Sequence, residues 1–110
     1  MSKAWITVCN EADLIIGSGI CVRLGDEQVA VFREKADSEV YAISNYDPFG
    51  EVNVISRGII GSIGDKLVVA SPLYKQHFCL ETGQCLEDES VRIKTYPVRI
   101  ETDQVQLQQK

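Results

Sequence analysis

Short apolar runs, four to six residues long and about ten residues apart, recur along the chain. Residues 20–24 (Ile-Cys-Val-Arg-Leu) and 29–33 (Val-Ala-Val-Phe-Arg) flank Gly25-Asp26-Glu27-Gln28, a pattern that predicts a β-hairpin. Short strands at this spacing are typical of antiparallel β-sandwiches and small barrels, so we predict an all-β fold. Further predicted strands are 40–44, 66–70, 77–80, 85–86, 91–93, 96–100 and 105–107.

Two segments are ambiguous, because residues 12–16 and 52–56 fit either a helical turn or a short strand. Trp5 and Val8 are predicted to anchor a first strand in the core. The length of 110 residues fits one domain, so residues 1–110 are predicted to form a single domain. No apolar run approaches the roughly 18 residues of a membrane span, and the N-terminal residues do not resemble a secretory signal.

The charge balance excludes two classes of partner. The formal net charge is −5, and the 11 lysines and arginines are scattered. Binding to nucleic acid or to an anionic membrane surface requires a concentrated positive face. We therefore expect neither partner.

Cysteine and histidine usage limits the metal chemistry. Cys9, Cys21, Cys79 and Cys85 lie far apart, with no Cys-x-x-Cys pair, and with no signal segment this favours reduced, buried thiols in the cytoplasm. His77 is the single histidine, so the chain lacks the imidazoles for a two-histidine site. On a predicted strand, it is interpreted as a surface or partner-facing residue.

Motifs for independent catalysis are missing from the sequence. It contains no Gly-x-Ser-x-Gly elbow and no glycine-rich phosphate loop. The acidic run Glu87-Asp88-Glu89 is typical of a solvated surface. No catalytic residue is predicted.

Two proline-containing loops carry a specific resemblance. Residues 41–50 (Tyr-Ala-Ile-Ser-Asn-Tyr-Asp-Pro-Phe-Gly) and 69–83, which include Ser-Pro-Leu-Tyr and end on Thr-Gly, resemble the two cluster-binding loops of Rieske ferredoxin-type domains. The opening Trp5, the Gly25 hairpin and the closing Tyr96-Pro97-Val98 extend the resemblance over nearly the whole chain. It implies a Rieske-type iron–sulfur protein fold, an antiparallel sandwich in which loops 45–50 and 71–77 correspond to the cluster loops.

The four ligand positions depart from the Rieske pattern. In that family the first loop reads Cys-Pro-His and the second Cys-Pro-x-His, whereas here the ligand positions are Asp47, Phe49, Ser71 and Tyr74. A Rieske centre needs two thiolates and two imidazoles. We therefore expect a Rieske-like domain with no metal site and no cofactor of its own.

The chain is identified as a member of the small subunits of cytoplasmic NADH-dependent nitrite reductases. The shared motifs are residues 24–33, Asp47-Pro48-Phe49, Ser56-Arg57-Gly58 and 70–73. The resemblance implies an accessory subunit, not catalytic alone, that assists reduction of nitrite to ammonium with NAD(P)H. The large partner subunit is then expected to carry FAD, a [4Fe–4S] cluster and sirohaem.

The former cluster loops are the predicted docking surface, because ligated Rieske tips face electron-transfer partners and exposed aromatic residues suit interface anchors. An alternative is that Phe49 and Tyr74 only fill the space of the missing cluster. The predicted partner-binding residues are Asp47, Pro48, Phe49, Arg57, Pro72, Leu73, Tyr74, Lys75 and His77.

Two other classes of function remain open. A Rieske-type [2Fe–2S] or other metal-binding electron-transfer protein would need Asp47, His77 and Cys79 to converge from unusual positions. A free-standing binding module or enzyme would need a nucleophile–base pair that the sequence does not offer.

Overall fold

A computed structural model describes residues 4–109. Within this range the chain forms eleven short β-strands and two single 3-10 turns, which confirms the all-β prediction. The strands are β1 Ile6–Asn10, β2 Ser18–Leu24, β3 Glu27–Arg33, β4 Val40–Ser44, β5 Tyr46–Asp47, β6 Val52–Asn53, β7 Ile59–Ile63, β8 Lys66–Ala70, β9 His77–Cys79, β10 Val98–Glu101 and β11 Gln104–Leu107; the 3-10 turns are Glu11–Asp13 and Ile55–Arg57.

The strands assemble into four small antiparallel sheets. Their orders are β1-β11-β10, β2-β3-β4, β5-β6 and β7-β8-β9. We refer to the three larger ones as the terminal, central and distal sheets, in that order of strands. The terminal sheet joins the two ends of the described chain, since Ile6 of β1 pairs with Leu107 of β11.

The central sheet is covered on both faces. Along β3, Val29 and Val31 pack with Val105 and Leu107 of the terminal sheet, while the intervening Ala30 and Phe32 face the other side. A strand buried on both faces is apolar at every position, which explains the unbroken run of residues 29–32.

The second core lies between the central and distal sheets. Phe32 and Ile43 pack there with Val69 and Phe78 of the distal sheet and with Ile55 of the second 3-10 turn. All five side chains are fully buried. The distal sheet is therefore packed on the central sheet through this second core.

The hairpin β2–β3, strand β4 and strand β8 match their predicted positions to within two residues. The sequence does not predict strand β7, because Gly61 interrupts its short apolar run and Gly58 and Gly64 flank it. The predicted strands 85–86 and 91–93 are wrong as strands: these segments make only isolated bridges, Phe78 with Cys85 and Gln84 with Arg92.

The cysteines and Trp5 differ in part from expectation. Cys79 and Cys85 are buried, as predicted, but Cys21 is exposed, because alternate residues of edge strand β2 point outward. Trp5 is half-buried under the Arg99 guanidinium, 4.4 Å from the ring centre, and not among the core side chains. No helix in the described range is long and apolar enough to span a bilayer.

Candidate functional site

The first former cluster loop turns sharply at Asp47. The Asp47 carbonyl oxygen accepts a hydrogen bond from the Glu51 amide (2.7 Å), and Glu51 has a φ of 55°. The Asp47 side chain accepts hydrogen bonds from the amides of Phe49 (2.8 Å) and Gly50 (3.2 Å). Asparagine and aspartate commonly stabilise tight turns through such side-chain acceptors, and Pro48 limits the backbone further.

The second loop repeats this geometry at Ser71. The Ser71 carbonyl oxygen accepts from the Lys75 amide (3.1 Å), and Lys75 has a φ of 62°. The Ser71 hydroxyl accepts a hydrogen bond from the Leu73 amide (3.3 Å). Each loop thus consists of a polar residue, a proline, two further residues and a residue in the left-handed region.

A buried hydrogen bond joins the two loops, in which the Ser71 hydroxyl donates to the Asp47 carboxyl group. Both residues are at most 1% exposed. The carboxyl group also receives the two loop amides, so three donors satisfy a group that would be costly to bury alone. These are the two positions at which the Rieske pattern places cysteine, and here a hydrogen bond between their side chains bridges the loops.

The two aromatic residues at the histidine positions point in different directions. Phe49 is half-buried and packs on Phe78, with ring centres 6.2 Å apart, at the edge of the second core. Tyr74 is 63% exposed. The filling role therefore fits Phe49, whereas Tyr74 is available for contact with another molecule.

An apolar surface surrounds Tyr74. A Cβ atom at Gly50 would lie 2.5 Å from Leu73 Cδ1 and 3.5 Å from Val52 Cγ1, so the side chains of both loops meet over this glycine. Leu73 and Val52 are both exposed by at least 40%. We call the exposed side chains of Val52, Leu73, Tyr74 and Lys75 the tip surface.

His77 lies at the base of the second loop, paired in register with Ala70. Its Nδ1 lies 2.6 Å from Glu87 Oε2, and its amide donates to Glu87 Oε1 at 2.7 Å. Burial alone would raise the pKa of Glu87, but these contacts with His77 outweigh it and lower the pKa below its usual value. The ring is thus held in one orientation, with Nε2 directed away from Glu87.

The remaining predicted site residues are the two loop prolines and Arg57, which lies outside both loops. Pro48 is half-buried, whereas Pro72 is exposed, and both lie one residue after the buried pair. Arg57 is exposed at the end of the second 3-10 turn. Within residues 4–109, no hydrogen bond joins it to either loop.

The residues at the ligand positions do not fit a [2Fe–2S] cluster. Phe49 has no donor atom, and the Asp47 and Ser71 side chains are occupied by each other and by loop amides. Within residues 4–109, no group of three or more histidine, cysteine or acidic side chains is placed to hold a metal ion. The alternative set Asp47, His77 and Cys79 is not brought together either.

Cys79 has its own local environment after β9. Burial would raise the pKa of the thiol, but hydrogen bonds from the Thr82 hydroxyl and from the amides of Thr82 and Glu81 lower it below its usual value. Its backbone pairs with Val68 of β8. The thiol is held within this turn and not in either former cluster loop.

Three further residues that shape the loops are not among the predicted site residues. Asn45 is 2% exposed; its side chain accepts from the Ser56 amide (2.6 Å) and donates to Gln28 (3.1 Å), which fixes the start of the first loop. Gly50 and Glu87 complete the set. Asparagine in a turn-rich stretch and glutamate in an acidic run carry no signal that distinguishes these roles.

Comparison with known proteins gives a consistent result. The family model for the Rieske-like [2Fe-2S] domain matches residues 4–108. The nitrite reductase (NADH) small subunit of Escherichia coli K12 is 48% identical over 103 residues, which cover 94% of this chain and 95% of that protein.

A solved structure and a longer protein are also similar. The NMR structure of the E. coli protein NirD superimposes with a TM-score of 0.90 at 45% identity, and the match covers 98% of both chains. The nitrite reductase [NAD(P)H] large subunit of Klebsiella oxytoca is 36% identical over 104 residues, which are 94% of this chain but 11% of that protein.

Proposed function

The chain belongs to the Rieske-like domain family and, within it, to the small subunits of NADH-dependent nitrite reductase, and from this membership we propose how it acts. It is the small subunit that works with a large subunit in the NAD(P)H-dependent reduction of nitrite to ammonium. It contributes by docking and assembly and holds no redox group. The observation that supports this role best is the buried Asp47–Ser71 hydrogen bond, which closes the loops where a cluster would be held.

The redox chemistry then belongs to the large subunit. We expect FAD, a [4Fe–4S] cluster and sirohaem to be carried there, since those groups transfer electrons from the nicotinamide to nitrite. The isolated small subunit is not catalytic. The reducing cytoplasm is the expected location, since it keeps the free thiols of this chain reduced.

A covalently joined relative supports the large-subunit partner. In the Klebsiella large subunit, a region similar to this chain is part of one polypeptide with the remainder of the protein. Domains that are joined in one protein and separate in another commonly function side by side. Nucleic acid and membranes are not expected as partners, because of the net charge of −5.

The tip surface is the proposed docking site. Leu73 and Tyr74 supply exposed apolar area on loops that are internally hydrogen-bonded, so little conformational entropy is lost on binding. Lys75 supplies a positive charge within the tip surface, and Arg57 and His77 are proposed to add polar contacts around it. Asp47, Pro48, Phe49 and Pro72 hold the loops in position.

Separate alanine substitutions of the two aromatic residues test this proposal. Tyr74→Ala should leave the melting temperature unchanged but weaken binding to the large subunit about tenfold or more, as expected for an interface anchor. Phe49→Ala should cost about 1–3 kcal/mol of folding stability, because a half-buried aromatic ring leaves the second core. Binding would be measured by calorimetry with the purified large subunit, and stability by chemical denaturation.

Ile15→Ala is the matched control, since Ile15 is an exposed apolar residue outside both loops. It should bind like the unsubstituted protein. Unchanged binding by Tyr74→Ala would contradict docking through the tip surface. Failure of the unsubstituted chain to bind, or to raise nitrite-dependent NADH oxidation by the large subunit, would contradict the accessory role itself.

Incubation of the purified chain with iron and sulfide tests the absence of a redox group. We expect no visible absorption and no bound iron after desalting, because the ligand positions offer neither thiolate nor imidazole. Stable charge-transfer bands would instead favour the electron-transfer alternative with Asp47, His77 and Cys79.

A further inference from the structure

Strand β7 is an unpaired edge of the distal sheet. In the described part of the chain it pairs with β8 on one side, and no strand pairs with it on the other. Its five residues, Ile-Ile-Gly-Ser-Ile, include no charge and no proline. Edge strands in stable monomers usually carry a lysine, a proline or a bulge that prevents pairing with another chain. Strand β7 has none of these.

The hydrogen-bonding pattern of β7 shows which of its backbone amides and carbonyls point away from β8. The two-residue turn Gly64-Asp65 makes Ile63 and Lys66 a hydrogen-bonded pair, so Ile59, Gly61 and Ile63 direct their backbone groups toward β8. The Leu80 amide donates to the Leu67 carbonyl on the far side of β8 (3.0 Å), which fits the same alternation. The amides and carbonyls of Ile60 and Ser62 therefore point outward.

The side chains on the outer face of β7 are apolar and open. Ile59 is 77% exposed and Ile63 is 44% exposed, and a Cβ atom at Gly61 would meet nothing within 4 Å. A partner strand here would gain main-chain hydrogen bonds from the edge and apolar contacts from alternate isoleucines. In known cases of strand addition, main-chain hydrogen bonds give affinity and contacts of alternate side chains give specificity.

The edge is continuous with the second former cluster loop. Ile59 pairs with Ala70, and Ala70 pairs on its other side with His77. Ala70 directly precedes Ser71, so the exposed end of β7 begins where the loop begins. Ile59 and His77 therefore lie on either side of Ala70, two strand spacings or about 10 Å apart, so one partner of ordinary size can reach both.

We infer that the β7 edge receives an extended segment of the nitrite reductase large subunit as an added strand. This inference rests on the proposed function and adds a second contact to the tip surface. The large subunit is favoured over a second copy of this chain, since two copies would bring together net charges of −5 each. In the Klebsiella relative, the remainder of a large subunit is already joined to a region like this one.

Ser62→Pro is the decisive variant. Proline removes the outward amide of Ser62 and places a ring in the path of an added strand, while the β7–β8 hydrogen bonds do not use that amide. We expect binding to the large subunit to weaken about tenfold or more, since one lost main-chain hydrogen bond accounts for roughly two- to tenfold by itself. Ser62→Thr keeps the amide and should bind within about twofold of the unsubstituted chain.

A second variant and a direct readout keep the test independent of proline strain. Ile59→Lys should weaken binding while leaving the melting temperature unchanged, because it adds a charge to an exposed edge. In the complex, the amides of Ile60 and Ser62 should exchange with deuterium at least tenfold more slowly than in the free chain.

Several results would overturn the inference. Equal binding of the large subunit by the unsubstituted chain and by Ser62→Pro would show that no strand is added to β7. The same conclusion would follow if the Ile60 and Ser62 amides exchanged at the same rate in the complex as in the free chain. The large subunit would then bind at another surface. If the isolated chain forms a dimer in light scattering that Ser62→Pro makes monomeric, the edge serves self-association. Absence of any binding by the unsubstituted chain would overturn the proposed function, and the β7 contact with it.

Discussion

Two residues, Asp47 and Ser71, connect the loops that a cluster would otherwise connect. In a Rieske centre the two iron atoms hold both loops through their thiolate and imidazole ligands. Here a hydroxyl-to-carboxyl hydrogen bond joins the same two positions, and each side chain also accepts amides of its own loop. Hydrogen bonds within and between the loops therefore connect the positions that the cluster ligands occupy in the Rieske pattern.

Removal of the Ser71 hydroxyl should destabilise the protein. Ser71→Ala leaves the buried Asp47 carboxyl group with one donor fewer and the Leu73 amide without its acceptor. We expect a loss of about 1–3 kcal/mol in the free energy of unfolding, measured by urea denaturation, because a buried polar group is left unpaired. Ser62→Ala, at an exposed serine, is the control and should change the stability by less than about 0.5 kcal/mol. Equal stability of the two variants would show that the bridge between the loops is unimportant.

Among the elements, β3 is central to the fold because both of its faces are covered. Its first residue also ties it to the segment before β10: Glu27 accepts hydrogen bonds from the Tyr96 hydroxyl (2.8 Å) and from Lys94 (3.1 Å). The Tyr96 hydrogen bond, then that of Lys94, lowers the pKa of Glu27 below its ordinary value. Burial, followed by the contact with Glu27, raises the pKa of Tyr96.

The hydrogen bond between Glu27 and Tyr96 predicts that folding stability depends on pH. Because the pKa of Glu27 is lower in the folded chain than its ordinary value of 4.5, its contribution is present above that value and is lost as the pH falls through the folded pKa. The melting temperature of Glu27→Gln should be below that of the unsubstituted chain at pH 7, and the difference should shrink as the pH falls below 4.5 and through the folded pKa. The effect is small, since Glu27 is partly exposed and screened.

Glu101→Gln provides the comparison for this measurement. Glu101 is an exposed glutamate of β10. Its replacement should change the melting temperature at pH 7 by less than Glu27→Gln does, because Glu101 is exposed. A difference for Glu27→Gln that does not shrink in acid would contradict the role assigned to the Tyr96 hydrogen bond.

In the whole molecule, the central sheet lies between the terminal sheet, where β1 pairs with β11, and the tip surface. The terminal sheet pairs β1 with β11, whereas both former cluster loops and the β7 edge belong to the distal side of the central sheet. A partner can thus cover the distal side without disturbing the pairing of the ends. This arrangement suits a domain that also occurs within a longer chain, as in the Klebsiella relative.

The joined relative predicts the composition of the complex. A polypeptide that includes this domain carries it at a fixed ratio to its remaining domains, so we expect one small subunit for each large subunit when the two are separate chains. Native mass spectrometry of the co-expressed complex would measure this ratio. A ratio other than one to one would mean that the separate chains assemble differently from the joined form.

The sequence by itself determined the fold class, several strand positions and the family. Local side-chain periodicity determines the alternation in β2, the continuous apolar run of β3 and the turn between them. This periodicity can be read from the sequence alone. The substituted ligand positions were equally legible, because each is a matter of residue type. These expectations are confirmed for the fold and the family.

Only the tertiary structure decided how the loops and edges are used. Phe49 turns inward and packs on Phe78, whereas Tyr74 turns outward, although both stand where the Rieske pattern has histidine. The Asp47–Ser71 bond joins residues 24 positions apart. Strand β7 has a weak local signal and forms because β8 pairs with it. Each of these features depends on contacts between segments that are distant in the chain. A local sequence pattern cannot predict such contacts.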